Sequence, residues 1–85
     1  MKFENRVQRS RHLLTKMDKK IIEFIRTNEL DDRFSTINSL AHAIGTSPAT
    51  ITRFSNKLEY SNFQDMKFSL QHEKSEKVVE NAPIV

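Results

Sequence analysis

Arg53 and Asn56 stand in a run, Pro48 to Leu58, that contains Arg53 and Lys57 and no acid. Both can read nucleic-acid bases: a guanidinium donates two parallel hydrogen bonds to guanine O6 and N7, and a carboxamide pairs with adenine. Methyl groups of the kind carried by Ala49 and Thr52 meet the thymine methyl. At about 100° per residue, the direction opposite the apolar stripe Ile51, Phe54 and Leu58 is occupied by Ala49, Arg53 and Asn56, flanked by Thr50, Thr52 and Lys57. Ala49, Thr52, Arg53 and Asn56 are therefore the candidate base readers, on a helix that would enter the major groove by its N-terminal residues. Arg53 has a second reading, as a phosphate contact or plain surface charge. Phosphate positioning falls to Ser35 or Thr36 with the helix start beside them, and to Ser47, Thr50, Lys57, Arg9 and Arg11. The hydroxyls among these can also be helix caps, and the two roles are compatible.

The elements that must hold these side chains are legible in Thr36 to Leu58. Ile37, Leu40, Ala41 and Ile44 fall at i, i+3, i+4 and i+7, one apolar stripe on a first helix. Gly45, the only glycine, follows where a left-handed C-cap is wanted and a Cβ is costly. Ser47 can cap a second helix, and Pro48 in its first turn gives up no needed N–H. Ile51, Phe54 and Leu58 would pack that helix on the first, with small Ala41 permitting a close crossing. The layout is that of a helix-turn-helix, whose paired helices meet near a right angle.

The rest of the chain reads as helical. Phe3, Val7, Leu13 and Leu14 predict an amphipathic amino-terminal helix with a basic outer face. Thr15 and Asp18 resemble a capping box, after which Met17, Ile21, Phe24 and Ile25 mark a helix to about Asn28, with Ile22 at its edge. Glu29 to Phe34 is a polar connection. A turn through Glu59, Tyr60, Ser61 and Asn62 leads to a last stripe, Phe63, Met66, Lys67 and Leu70, ending near His72. Glu73 to Val85 has no convincing apolar period and reads as a linker or frayed helix. Strand signals and internal repeats are absent, so the expected fold is all-α, a small bundle of four to five helices containing a helix-turn-helix.

Composition narrows the function. A chain of 85 residues forms one small domain. It has no cysteine, which excludes disulfides and thiolate metal sites and favours a reducing cytoplasm. No apolar run approaches the ~20 residues that span a bilayer, and no signal-peptide core is present at the amino terminus. The net charge of +3 is modest, but Lys2, Arg6, Arg9, Arg11, Lys16, Lys19 and Lys20 face only Glu4 and Asp18 at the amino end. A polyanion would be drawn there and to the acid-free motif. Phe24, Phe54, Phe63 and Phe68 lie at or next to core positions, leaving Phe3 and Phe34 as the exposed aromatics. His12, His42 and His72 share no metal-ligand spacing. No catalytic grouping or phosphate loop is visible, so neither an enzyme nor a cofactor or metal is expected.

Leu14 to Glu73 resembles the amino-terminal helix-turn-helix domain of RpiR-type transcriptional regulators. The resemblance runs through Leu14-Thr15, Ile21-Ile22, Thr36-Ile37, Leu40-Ala41, Gly45-Thr46-Ser47 and Ala49-Thr50-Ile51. It continues in the more particular order Arg53-Phe54, Lys57-Leu58, Tyr60, Phe63, Lys67 and Leu70. Family members usually carry glycine where this chain has Glu59, and often at Asn62. Asn62 tolerates a left-handed backbone, whereas Glu59 there would cost about 1 kcal/mol or force another turn. The resemblance implies a bacterial regulator of sugar or amino-sugar catabolism. It also implies a carboxy-terminal sugar isomerase-like domain, absent from this chain, that binds a phosphosugar effector and supports oligomerisation. Residues 1–75 would be the DNA-binding domain and 76–85 the start of the linker.

The expected partner is double-stranded DNA, bound by a homodimer on a roughly palindromic site with half-sites about 34 Å apart or a multiple of that. The alternative is a helical protein-interaction or dimerisation module that pairs through the Phe3, Val7 and Leu14 face. Salt separates the two, because only DNA affinity falls steeply as salt is added.

Overall fold

A computed structural model describes residues 1–28, 30 and 36–81, with side chains described as far as 73. Among the described residues five α-helices follow one another: α1 (Phe3–Arg9), α2 (Lys16–Thr27), α3 (Ile37–Ile44), α4 (Pro48–Lys57) and α5 (Phe63–Asn81). A short 3-10 turn, Arg11–Leu13, joins α1 to α2, and there is no strand among the described residues.

Local chemistry starts and stops these helices. Thr15 and Asp18 form the expected capping box on α2, with Asp18 N–H donating to the Thr15 hydroxyl at 3.1 Å and Thr15 N–H to the Asp18 carboxylate at 2.9 Å. Thr36 caps α3 in the same way, Ser39 serving as its reciprocal partner. Gly45 ends α3 at φ 89, and the Thr46 N–H reaches back to the Ala41 carbonyl at 2.9 Å. Ser47 then accepts from the Thr50 N–H at 3.2 Å and Pro48 opens α4.

The core is one cluster to which all five helices contribute. Ile21 of α2, Leu40 of α3, Ile51 and Phe54 of α4, Leu58 after it, and Met66 of α5 are fully buried. Ala41 of α3 is also buried. Ser55 is the polar member of this centre, and its hydroxyl donates to the Ile51 carbonyl at 3.0 Å, so its burial leaves no donor unsatisfied.

Several expectations change. The amino-terminal helix is one short helix and a 3-10 turn, and its Phe3 and Val7 are buried in the chain's own core. The face offered as a pairing surface is therefore already used, as a domain this small has few large apolar side chains from which to close a core. Phe3 is buried rather than exposed, and Phe68 is exposed, at 69%, rather than packed. Phe68 points away from the Phe63 and Met66 side of α5 and stacks on His72, with ring centroids 6.2 Å apart. Ile22 is buried rather than marginal. The final helix continues past His72 to Asn81. Ser35, Phe34 and most of the connection before them lie outside the described residues, as does the linker segment from residue 82.

Glu59 does adopt the left-handed backbone, at φ 67, and is the one non-glycine residue described with positive φ. Its N–H donates to the Asn56 carbonyl and the Tyr60 N–H to that of Ser55, a Schellman closure of α4. Asn62 has no left-handed backbone. Its side-chain oxygen accepts from the Asp65 N–H at 2.8 Å and so opens α5.

Candidate nucleic-acid interface

The outer side of α4 carries the expected set. Ala49, Thr52, Arg53 and Asn56 are all exposed, while Ile51 and Phe54 of the same helix have no exposure. The alternation follows from the helical repeat: the face that closes the core leaves its opposite face to solvent.

Arg53 is oriented by its own helix. Its Nη2 donates to the Thr50 hydroxyl at 3.3 Å, and that hydroxyl lies 2.9 Å from the Ser47 hydroxyl. The guanidinium is thus led back towards the start of α4, the direction in which helical side chains lean. Thr50, expected only as a flanking phosphate contact, is also the residue that steers Arg53. The three-residue spacing of Ser47, Thr50 and Arg53 was the available signal, since residues three apart are neighbours on a helix.

Lys57 is placed differently from the expectation. Its ammonium lies 2.6 Å from Asp18, a carboxylate only 3% exposed, and so faces α2. Burial alone would raise the Asp18 carboxyl. The hydrogen bonds from Lys57 and Thr15, with the lysine's charge, outweigh it and hold the group below the ordinary aspartate range. The pair fixes the last turn of α4 to the first turn of α2.

The basic face of α1 is also partly spent inside the domain. Arg6 Nη1 donates to the Leu58 and Glu59 carbonyls at 2.9 and 3.0 Å, capping the carboxyl end of α4. Its guanidinium lies 4.1 Å from the centre of the Tyr60 ring. The Ser10 hydroxyl donates to the Lys57 carbonyl at 2.7 Å. Arg9 pairs with Glu59 across 3.6 Å, both exposed, and Arg11 is exposed. Arg9 therefore sits by the far end of α4 and not by Ser47. The Tyr60 hydroxyl is buried without a hydrogen-bond partner among the described residues, and its pKa is pushed up to about 12 chiefly by burial.

Thr36 and Ser47 are both exposed N-caps, at the starts of α3 and α4. The sequence reading missed Arg6 and Ser10 as supports of α4, since their partners lie 47 to 53 residues away. Among the described residues no cluster could hold a metal, and no helix is long and apolar enough to cross a membrane.

The model of the rpiR-family helix-turn-helix domain matches residues 1–77. An uncharacterized HTH-type transcriptional regulator of Clostridium perfringens is 40% identical over 63 residues, which are 74% of this chain and 23% of the relative. The chain thus spans about a quarter of that relative's length. No solved structure matches it. A match over nearly the whole chain, on a fold with the motif where the residues placed it, shows that this protein belongs to the rpiR family of helix-turn-helix domains, a DNA-binding type that serves transcription regulation.

Proposed function

We propose that the chain reads double-stranded DNA in a sequence-dependent way, with α4 in the major groove and Arg53 as its principal base contact. The observation that carries this is the acid-free outer face of α4, where Arg53 is exposed and steered by Thr50 towards the end of the helix that enters the groove first. Asn56, Thr52 and Ala49 complete the reading face. Thr36, Ser47 and Thr50 offer hydroxyls, and α3 and α4 offer free N–H groups, to phosphates. Ser35, Arg9 and Arg11 stay in the proposed phosphate set. Lys57 contributes by holding α4 at its angle and reaches a phosphate only by leaving Asp18.

The wider reading is a regulator of sugar or amino-sugar catabolism that works as a homodimer and answers to a phosphosugar through a further domain. It rests on family kinship alone. With Phe3 and Val7 occupied internally, pairing through α1 has lost its surface, which weakens the interaction-module alternative. Binding to duplex DNA over a series of salt concentrations tests the proposal. Log affinity should fall linearly with log salt, with a slope of about −0.9 per phosphate contact. Salt-independent binding, or none, would contradict it.

A further inference from the structure

Lys20 belongs to the basic amino end to which a polyanion would be drawn, but not to the expected set of phosphate contacts. Its exposed side chain crosses from α2 to the turn of the motif, placing the ammonium 3.7 Å from where a Cβ on Gly45 would stand. Gly45 is two residues before Ser47, the cap of α4. Lys16, one helical turn earlier on α2, is exposed on the same face. Neither ammonium has a hydrogen bond or ion pair among the described residues.

Among the residues whose side chains are described, the carboxylates are engaged elsewhere. Glu4 and Glu23 hold Arg26, Asp18 holds Lys57, and Glu59 holds Arg9. Asp65 accepts from the Ser61 N–H, and Glu73 from the Phe3 N–H. Lys20, paired with none of these carboxylates, therefore stands beside the turn that leads into α4, at the end of the motif where the proposed reading face begins.

We infer that Lys20 is a phosphate contact of duplex DNA, and that Lys16 extends the same basic edge along α2. This rests on the reading of α4 as the groove helix. Lys20 would clamp the backbone beside the start of α4 and fix its register, while carrying no base preference of its own. The competing role is structural: a cation near the carboxyl end of α3 favours that helix through its dipole.

Lys20→Gln and Lys20→Arg, compared with the unaltered chain on a random-sequence duplex, separate these roles. Losing one phosphate contact lowers the slope of log affinity against log salt by about 0.9, so over a fourfold rise in salt the unaltered chain loses about 3.5-fold more affinity than Lys20→Gln. Lys20→Arg should restore the slope, and the thermal midpoint of Lys20→Gln should stay unchanged. A lowered midpoint with an unaltered slope would assign Lys20 to α3 and overturn the inference. An unaltered chain that binds while Lys20→Gln keeps its slope overturns this inference alone. Failure of the unaltered chain to bind any duplex at low salt overturns the reading of α4 as well.

Discussion

Glu59 shows how one residue can carry local strain for the sake of a fixed geometry. A left-handed backbone costs an L-residue roughly 1–2 kcal/mol, yet Glu59 holds φ 67, the conformation that lets the Glu59 and Tyr60 N–H groups close the end of α4. Arg6 secures the same corner by bonding the Leu58 and Glu59 carbonyls. Glu59→Gly relieves the strain, while the added freedom of glycine in the unfolded chain returns part of the gain. The exposed pair with Arg9 is worth little. The expected result is a net stabilisation of about 0.5–1 kcal/mol by urea unfolding. A loss of stability would mean that the side chain of Glu59 matters more than its backbone. Arg53 is the opposite case, unstrained and exposed, with its direction set by a single hydroxyl three residues earlier.

At the scale of elements, the question is what keeps α4 in place while its outer face stays free. Its inner face is closed by Ile51, Phe54 and Leu58, and its last turn is tied to α1 by Ser10 and Arg6 and to α2 by the pair of Asp18 and Lys57. Asp18 also receives the Thr15 N–H, so one buried carboxylate serves both the α2 cap and the α2 to α4 tie. Because its pKa is lowered in the folded state, its contribution is present above the unfolded value of about 3.9 and is lost as pH falls through the folded value. Asp18→Asn should lower stability at neutral pH by about 1–3 kcal/mol, less than for a fully buried pair since Lys57 keeps a path to water. Urea unfolding of this variant from pH 7 down to pH 2 should also lack the part of the acid-side decline that Asp18 supplies. An unchanged decline would show that Asp18 does not couple the two helices. The caps at Thr15, Ser47 and Gly45 were legible in the sequence, and Thr36 as one of two candidates with Ser35, because each depends on residues a few positions away. The ties through Arg6, Ser10, Lys57 and Lys20 were not, because each depends on a partner that only folding brings near. For the same reason the burial of α1 in the chain's own core was missed, with Phe3 expected exposed and the stripe expected as a pairing surface, and Phe68 lay one step outside a stripe that Phe63, Met66 and Leu70 already complete.

At the scale of the whole molecule, the distribution of charge matters more than the net +3. Among the residues whose side chains are described, the acids are bound to cations and N–H groups, and none of them pairs with Arg53, Lys20 or Lys16. A polyanion would therefore meet the outer face of α4 and the neighbouring edge of α2 together. The arrangement accounts for how a domain of modest overall charge can still present a basic reading surface. It also bears on symmetry, because a two-fold pair of such domains would display two copies of α4 to a palindromic site. The central claim, that the outer face of α4 reads bases through Arg53, is tested most directly by selecting duplexes from a random pool with this chain and with Arg53→Ala at near-physiological salt. The account predicts an enriched motif, an inverted repeat if two copies bind together, whose base preference is relaxed in the variant with a loss of about 1–3 kcal/mol on the selected site. Enrichment of the same motif with equal strength by a folded Arg53→Ala variant would contradict it.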